Sequence, residues 1–423
     1  MTMNSTCDKR GLKRVLDFRS RRVRYSGNGL RSVPLDRTLA NIEKYLLAGD
    51  VEAQFVMVRR AADDTIRALL EYLSPLDETE NERYFGKGTS GGQALVSACM
   101  EFVERASAKM RPEDDLLEAG YAEIASDACD PCLFSLSPEA AFVPARKIDW
   151  VWGYSLTRSQ PVLVPANLVF FPYEADHNEK TISWTDSNGL ASGNNLEEAV
   201  LHGILEVVER DAAVISEYNR LPQAEITPEG FPVEVLHLLE RLAARGYSCS
   251  FRAVPTDIPI PAVAAFLQKE KEPEKCCVAF GCHLDPSLAV SRALTEAVQL
   301  LPPCVNQEEW YRAGSAERYA DPPPREIPFD GLKSWASSDL KDNIEMCVAL
   351  LKGIGSEVIV VDLSLPDIPF PAVRVLTTCL QPIPHEGDMR LSPRFFEVPV
   401  KLGLRDEPRD PADVKIWPLC GYR

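Results

Sequence analysis

Histidine is scarce: five residues in 423 (His177, His202, His237, His283 and His385), none at HxxxH or HExxH spacing. A zinc site built on imidazoles is therefore not expected. No apolar run approaches the length needed to cross a bilayer, and the first residues lack the apolar stretch of a secretory signal. The expectation is a cytoplasmic protein without a membrane partner, so the twelve cysteines read as reduced thiols, not as a disulfide framework. Cys129-Asp-Pro-Cys132 has no second pair at zinc-ribbon spacing, and Cys276-Cys277 reads as a strand start. Positive charge is also short, 46 Lys and Arg against 63 Asp and Glu, for a net charge of −17. That balance argues against nucleic-acid binding. The local exception is Lys9, Arg10, Lys13, Arg14, Arg19, Arg21, Arg22 and Arg24, read as a solvated arm. A GxxxxGK[ST] frame is missing too: Lys87 stands between two glycines without it, which excludes a P-loop.

What the chain does have is acid in a repeated pattern. Gly88-Thr-Ser-Gly-Gly-Gln-Ala94 leads to Glu101-Phe-Val-Glu104-Arg105, and Gly193-Asn-Asn-Leu-Glu-Glu-Ala199 leads to Glu206-Val-Val-Glu209-Arg210. A shift of 105 residues superposes the Gly, the Ala, both Glu and the Arg. On a helix, positions i and i+3 share a face, so each segment presents two carboxylates in one direction. A single ExxER string is an ordinary solvated face laced with ion pairs. Two in matched contexts, flanked by Ala98, Phe102 and Val103 or by Ile204, Leu205, Val207 and Val208, point to buried helices whose acids must be paired or bound to metal. Four such carboxylates repel unless a divalent ion or a metal-bound polyphosphate lies between them. A third apolar helix, residues 284–299, carries Glu296 and Gln299 at the same spacing. The repeat reads as a single duplication, with this helix as a separate contributor.

Periodicity predicts helices over residues 39–47, 65–73, 233–244 and 339–354, and strands over 248–254, 262–266 and 357–362. Residues 161–171 read as a strand pair with a turn, 186–193 as a loop in which Asn194 or Asn195 caps the next helix, and the Pro-rich 322–328 as a connector. The alternation implies an α+β fold of mixed α/β architecture. The expected organisation is a mixed N-terminal segment (1–85), a core (86–320) and a C-terminal part (321–423).

The segments GKGTSGGQALVSACMEFVER, SNGLASGNNLEEAVLHGILEVVERDA and HLDPSLAVSRALTEAVQ resemble the YcaO family of ATP-dependent enzymes. WVWGYSLTRSQPVLVPANLVFFPY and DIPIPAVAAF support the likeness, and residues 356–376 resemble members that work with TfuA-type partners. The resemblance implies ATP and Mg2+ as cofactors, at a site built from the three acidic helices. It assigns Ser97, Glu101, Glu104 and Arg105 to the first nucleotide-binding segment. Asn194, Glu198, Glu206, Glu209 and Arg210 fall in the second, and Glu296 and Gln299 in the third. Glu101, Glu104, Glu206, Glu209 and Glu296 are the implied magnesium ligands. The implied reaction is activation of a backbone amide oxygen of a peptide or protein, giving a thioamide with a sulfur donor. Azoline or amidine formation is one alternative; a non-catalytic relative that binds nucleotide, peptide or partner is the other. A TfuA-like or sulfur-donor partner and a homodimer are compatible assemblies. Three departures stand out. Leu301 occupies a position where many members have Arg, residues 417–423 are not the Pro-rich tail of azoline-forming members, and the Thr-Arg and Gly-Ile-Pro motifs of archaeal members have no clear match.

Overall fold

The computed structural model describes residues 13–23, 30–47, 54–58, 67–73, 82–136, 142–173, 180–301, 319, 323–384 and 391–415. His177, His385, Pro322, residues 417–423 and the basic residues Lys9, Arg10 and Arg24 lie outside these ranges. Helix α1 (Leu35–Ile42) continues into a π-helical turn. Strands β1 (Gln54–Val58), β2 (Arg67–Leu73) and β3 (Glu82–Lys87) form an antiparallel sheet, and helix α2 (Gly91–Ala108) follows. Next come β4 (Leu117–Gly120), the short α3 (Tyr121–Ile124), β5 (Lys147–Ser155), β6 (Gln160–Pro165), β7 (Leu190–Ser192) and the long helix α4 (Leu196–Tyr218). Then follow β8 (Ala224–Thr227), α5 (Val233–Ala243), β9 (Tyr247–Ala253), β10 (Ala262–Lys269), β11 (Glu272–Cys282) and α6 (Pro286–Gln299). The chain closes with β12 (Glu326–Pro328), α7 (Leu340–Gly353), β13 (Val358–Asp362), β14 (Ala372–Thr377) and α8 (Pro393–Lys401). The architecture is mixed α/β, as expected.

Two larger sheets enclose α4. One has the order β4-β5-β13-β14-β7 with β6 also on β5; the other runs β11-β10-β9-β8-β12. The C-terminal strands β13 and β14 thus sit between β5 and β7. Helix α4 is buried along most of its 23 residues and packs on β7, β14, β11 and α7. A helix of 23 residues is about 34 Å long, so this one runs through the core between the sheets. Its buried acids outside the candidate site have protein partners. Asp211 accepts from Arg394 at 2.8 Å and from the Gln381 backbone at 2.8 Å, and Glu217 accepts from the Tyr319 hydroxyl at 2.8 Å. Among the described residues no helix is long and apolar enough to cross a membrane.

Five sequence expectations require correction, the first being the loop over 186–193, whose Leu190–Ser192 pair with β14 as strand β7. The window 65–73 is not a helix: β2 pairs with both β1 and β3, from Gln54↔Leu73 and Arg67↔Lys87 onward. Nine residues are too few for a stable isolated helix, so strand partners on both edges outweigh the helical propensity of Leu, Arg and Glu. Residues 161–171 give one strand, not two. After β6 a 3-10 turn follows, whose Asn167 side chain accepts from the backbones of Ile182 (3.0 Å) and Ser183 (2.8 Å), and Val169 and Phe170 enter the core. The Pro-rich connector contains β12, parallel to β8 at a sheet edge where a proline costs no ladder bond. Cys276 and Cys277 lie within β11, which starts at Glu272.

The basic arm is also more than a solvated tail. The Arg19 backbone and Arg21 Nε donate to Glu197 on α4 at 2.7 and 2.6 Å, and the Leu340 backbone at the start of α7 donates to Arg21 O at 3.0 Å. Lys13 lies 3.7 Å from Asp127 and 4.3 Å above the Trp152 ring.

Candidate functional site

Three strand–turn–helix units, β3–α2, β7–α4 and β11–α6, share one register. Each helix opens on a side-chain cap: Ser90 accepts from Gln93 N, Asn195 from Glu198 N and Asp285 from Ser287 N. Counted from its cap, position +11 is Glu101, Glu206 or Glu296, and position +14 is Glu104, Glu209 or Gln299. The expected duplication is therefore a triplication. The third unit is offset by 195 residues from the first, with Gly281, Ala289 and Ala293 matching Gly86, Ala94 and Ala98. Helix α2 packs on β7 and α6 on β3, so the units contact one another as well as repeat.

The acids sit among cations and backbone donors. Glu101 accepts from the Phe85 backbone at 2.9 Å and lies 3.8 Å from Arg105. Glu104 accepts from Ser192 N at 3.0 Å and Ser192 Oγ at 3.1 Å, which ties α2 to β7. Glu206 pairs with Arg210 at 2.6 Å. Glu209 accepts from Cys282 N at 2.9 Å, with Arg292 Nη2 at 3.9 Å. Glu296 forms an ion pair with Lys87. Gln299 and Ser97 are half-buried on α6 and α2. Asn194 and Glu198 stand at the N-terminal end of α4. Glu198, 2% exposed, receives Ser32 N and Oγ at 2.7 Å each, Asn194 N at 3.0 Å and Asn194 Nδ2 at 2.8 Å.

Electrostatics places the three helices in one field. Burial, and then the Glu206 and Glu101 charges, raise Glu104 to about 8, with the Ser192 bonds opposing. Glu101 and Glu209 are also raised by burial, offset at Glu101 by the Phe85 bond and Arg105, and at Glu209 by Arg292 and Lys87. Lys87 falls to about 8 through burial and the nearby Arg292, opposed by Glu209, Glu101 and Glu206. At Glu198 burial pushes upward, but the Ser32 and Asn194 bonds outweigh it and the carboxyl stays below its ordinary value. Strongly shifted acids and a shifted lysine in one cluster are the pattern of a functional site.

The donor set suits a metal-bound polyphosphate better than a bare ion. Among the described residues no three acid, histidine or cysteine side chains could hold a metal ion by themselves. Mg2+ needs only one or two carboxylates when phosphate oxygens and water complete its octahedron. Arg292 Nε is buried and finds no hydrogen-bond acceptor among the described residues, as expected of a donor that serves a bound anion. Lys87 and Arg292 are the residues that sequence reasoning missed. Lys87 resembles only a P-loop lysine in the sequence, while Arg292 is visible once α6 is placed in register, seven residues after its cap. Ser32 and Arg31 join from the N-terminal segment; burial lowers Arg31, which Glu198 opposes. Leu301 is 2% exposed and packs in the apolar core with Leu300 and Phe329.

The sequence and the fold both match known proteins. A family model described as YcaO cyclodehydratase, ATP- and Mg2+-binding, matches residues 85–380. An uncharacterized protein of Methanothermobacter thermautotrophicus is 32% identical over 321 residues, 70% of this chain and 81% of its own length. A protein in the tfuA 3' region of Rhizobium leguminosarum bv. trifolii is 32% identical over 229 residues, 51% of this chain and 53% of its own. Among solved structures, YcaO from Methanopyrus kandleri bound with AMPPCP and Mg2+ superposes with a TM-score of 0.67 at 29% identity, covering 85% of this chain and 94% of that one. A heterocyclase in complex with substrate and cofactor shares the fold, with a TM-score of 0.82 at 24% identity over 96% of this chain. The chain spans 59% of that heterocyclase's length.

Proposed function

The chain belongs to the YcaO family, and from that premise we propose that it activates a backbone amide of a peptide or protein with ATP and Mg2+ to form a thioamide. The observation that carries the proposal is the triplicated acid face with Lys87 and Arg292 among the carboxylates. Glu101, Glu104, Glu206, Glu209 and Glu296 would hold magnesium. Lys87, Arg105, Arg210, Arg292, Ser97, Asn194, Glu198 and Gln299 would orient the nucleotide. ATP, when bound, supplies the phosphoryl group that carries the amide oxygen away as phosphate. The chain's own part is to neutralise charge, align the reacting groups and exclude water, since phosphoryl transfer asks for positioning more than for covalent help.

Thioamide formation is favoured over azoline formation by the relative from a tfuA region. Azoline formation is the second reading, supported by the cyclodehydratase description of the family. The test supplies ATP, Mg2+, sulfide and candidate peptides, and follows phosphate release together with peptide mass. A gain equal to sulfur minus oxygen supports the proposal. Loss of one water establishes the azoline reading instead. Nucleotide binding with no peptide modified by any nucleophile, with or without a TfuA-type partner, would leave a non-catalytic relative.

The raised Glu104 gives this site a pH dependence of known sign. A carboxyl held near 8 is protonated at neutral pH and must lose its proton to serve a metal. Magnesium-dependent ATP binding should therefore strengthen as pH rises from about 6 to about 8, with proton release on binding. Above about 8 Lys87 loses its charge and the gain should stop. Calorimetry in two buffers of different ionisation enthalpy reads the released proton directly; identical heats would contradict the assignment of Glu104.

A further inference from the structure

Two loops beside the acid helices, 169–173 and 184–188, carry groups that the nucleotide reading leaves unused. The buried Arg374 on β14 holds both. Its Nε donates to Val169 O at 3.0 Å, Nη1 to Asn188 O at 2.7 Å and Nη2 to Asp186 O at 2.6 Å. Burial lowers Arg374; the Asp186 and Glu206 charges oppose the fall, and Arg105 and Arg210 add to it. The clamp therefore stands on the side of the acid site where Glu206 and the two arginines of the repeat lie. Packing gives the same location. A Cβ at Gly189 would stand 2.9 Å from Val207 Cγ1, and one at Gly203 3.0 Å from Gly189 O. Gly189 is thus wedged against α4 next to Glu206, and Asn188 directly precedes it. Asn188 has a backbone that is fully used and a side chain that is not. Its N donates to Asp186 Oδ1 at 2.8 Å and its O accepts from Arg374, yet its Oδ1 is buried with no donor among the described residues. The turn uses only the backbone, and an unpaired buried oxygen costs stability, so the fold alone does not account for the carboxamide.

A carboxamide offers an acceptor and a donor side by side, the complement of a peptide group. The same two loops present aromatic surface: Phe171 lies under the Arg105 guanidinium at 4.8 Å, and Trp184 is 56% exposed. Aromatic side chains are enriched where proteins bind one another. We propose that these loops form the subsite for the peptide chain flanking the amide to be activated, with Asn188 Oδ1 accepting a backbone N–H of that chain. The inference rests on the reading that the substrate is a peptide or protein amide, and it makes Asn188 a positioning residue, not a nucleotide ligand.

The probe is acetyl-Ala-Phe-Ala-dimethylamide, with the counterpart methylated at every backbone nitrogen as control. Saturation-transfer NMR follows both on the full-length protein, with and without AMPPCP and Mg2+. The parent should bind the probe but not the counterpart, which has no N–H to give. Asn188→Ala should weaken probe binding about fivefold, the worth of one net hydrogen bond. It should also melt at the same or a higher temperature and bind AMPPCP as the parent does, because the lost oxygen has no partner in the fold. A probe that binds the variant as tightly as the parent, or fails to bind the parent, overturns the proposal. So does a melting temperature lower by several degrees in Asn188→Ala, which would make the carboxamide structural. Loss of AMPPCP affinity in the variant overturns it as well, by assigning Asn188 to the nucleotide site. Failure of the thioamide reading is seen separately: a parent that binds the probe through Asn188 yet modifies no peptide keeps the subsite and loses the chemistry.

Discussion

Glu209→Gln is expected to reduce magnesium-dependent ATP affinity by about 100-fold or more while the protein stays folded. Removing one member of a buried, hydrogen-bonded charge pair costs roughly 2–5 kcal/mol, and each 1.4 kcal/mol is tenfold. Glu209 is 7% exposed and accepts from Cys282 N, a bond that the glutamine oxygen can keep. The substitution therefore removes charge without removing shape. What disappears is the anion facing Arg292 and Lys87, together with one proposed magnesium ligand. Glu217→Gln is the matched control. Glu217 is fully buried eight residues further along α4, where it bonds to the Tyr319 hydroxyl at 2.8 Å and Gln223 at 3.1 Å. Calorimetry should show near-normal ATP binding for the control. Equal losses in both variants would mean that α4 had been loosened, and unchanged affinity in Glu209→Gln would leave the acid cluster with a structural role only.

The site was partly legible because its chemistry is periodic. The ExxE pairs and their following arginines stand in identical frames in the first two units, and the acid spacing on one helix face follows directly from the 3.6-residue turn. The third helix is legible as a contributor of Glu296 and Gln299 but not as a repeat, because its signature is equivalent and not identical. Its cap is Asp285, where the others have Ser90 and Asn195, and its second acid has become Gln299. Caps of those three types do the same work, so a match by function would have found it. Contacts between distant segments carried no local signal. Arg21 reaches Glu197 across 176 residues, and Ser32 reaches Glu198 across 166. The β2 error has the opposite origin. Local propensity over residues 65–73 is helical, but strands on both sides decide the outcome.

The triplication also locates a position that leaves no room for a side chain. Gly281 and Gly86 occupy the same place in their units, where a strand backbone lies directly against the following helix. A Cβ at Gly281 would stand 2.3 Å from Ala289 O and 2.4 Å from Ala293 N; at Gly86 the nearest atom, Ala94 O, is 1.8 Å away. These are backbone atoms of the helix, so no side chain can rotate aside and the helix itself must move. Overpacking a core costs about 1–3 kcal/mol when neighbours can adjust, and Gly281→Ala should reach or exceed the upper end. The cost falls on the site as well. Cys282, the next residue, gives its N–H to Glu209, and α6 carries Arg292 and Glu296. Thermal unfolding and ATP titration of Gly281→Ala should therefore fail together, with a melting temperature lower by several degrees and nucleotide affinity strongly reduced. Gly353→Ala supplies the contrast, because at the end of α7 an added Cβ meets nothing within 4 Å. There the replacement should be neutral or slightly stabilising, since alanine is the better helix former. If Gly281→Ala melted and bound ATP as the parent does, helix α6 would not be held against β11 in the way that brings the third acid to the site.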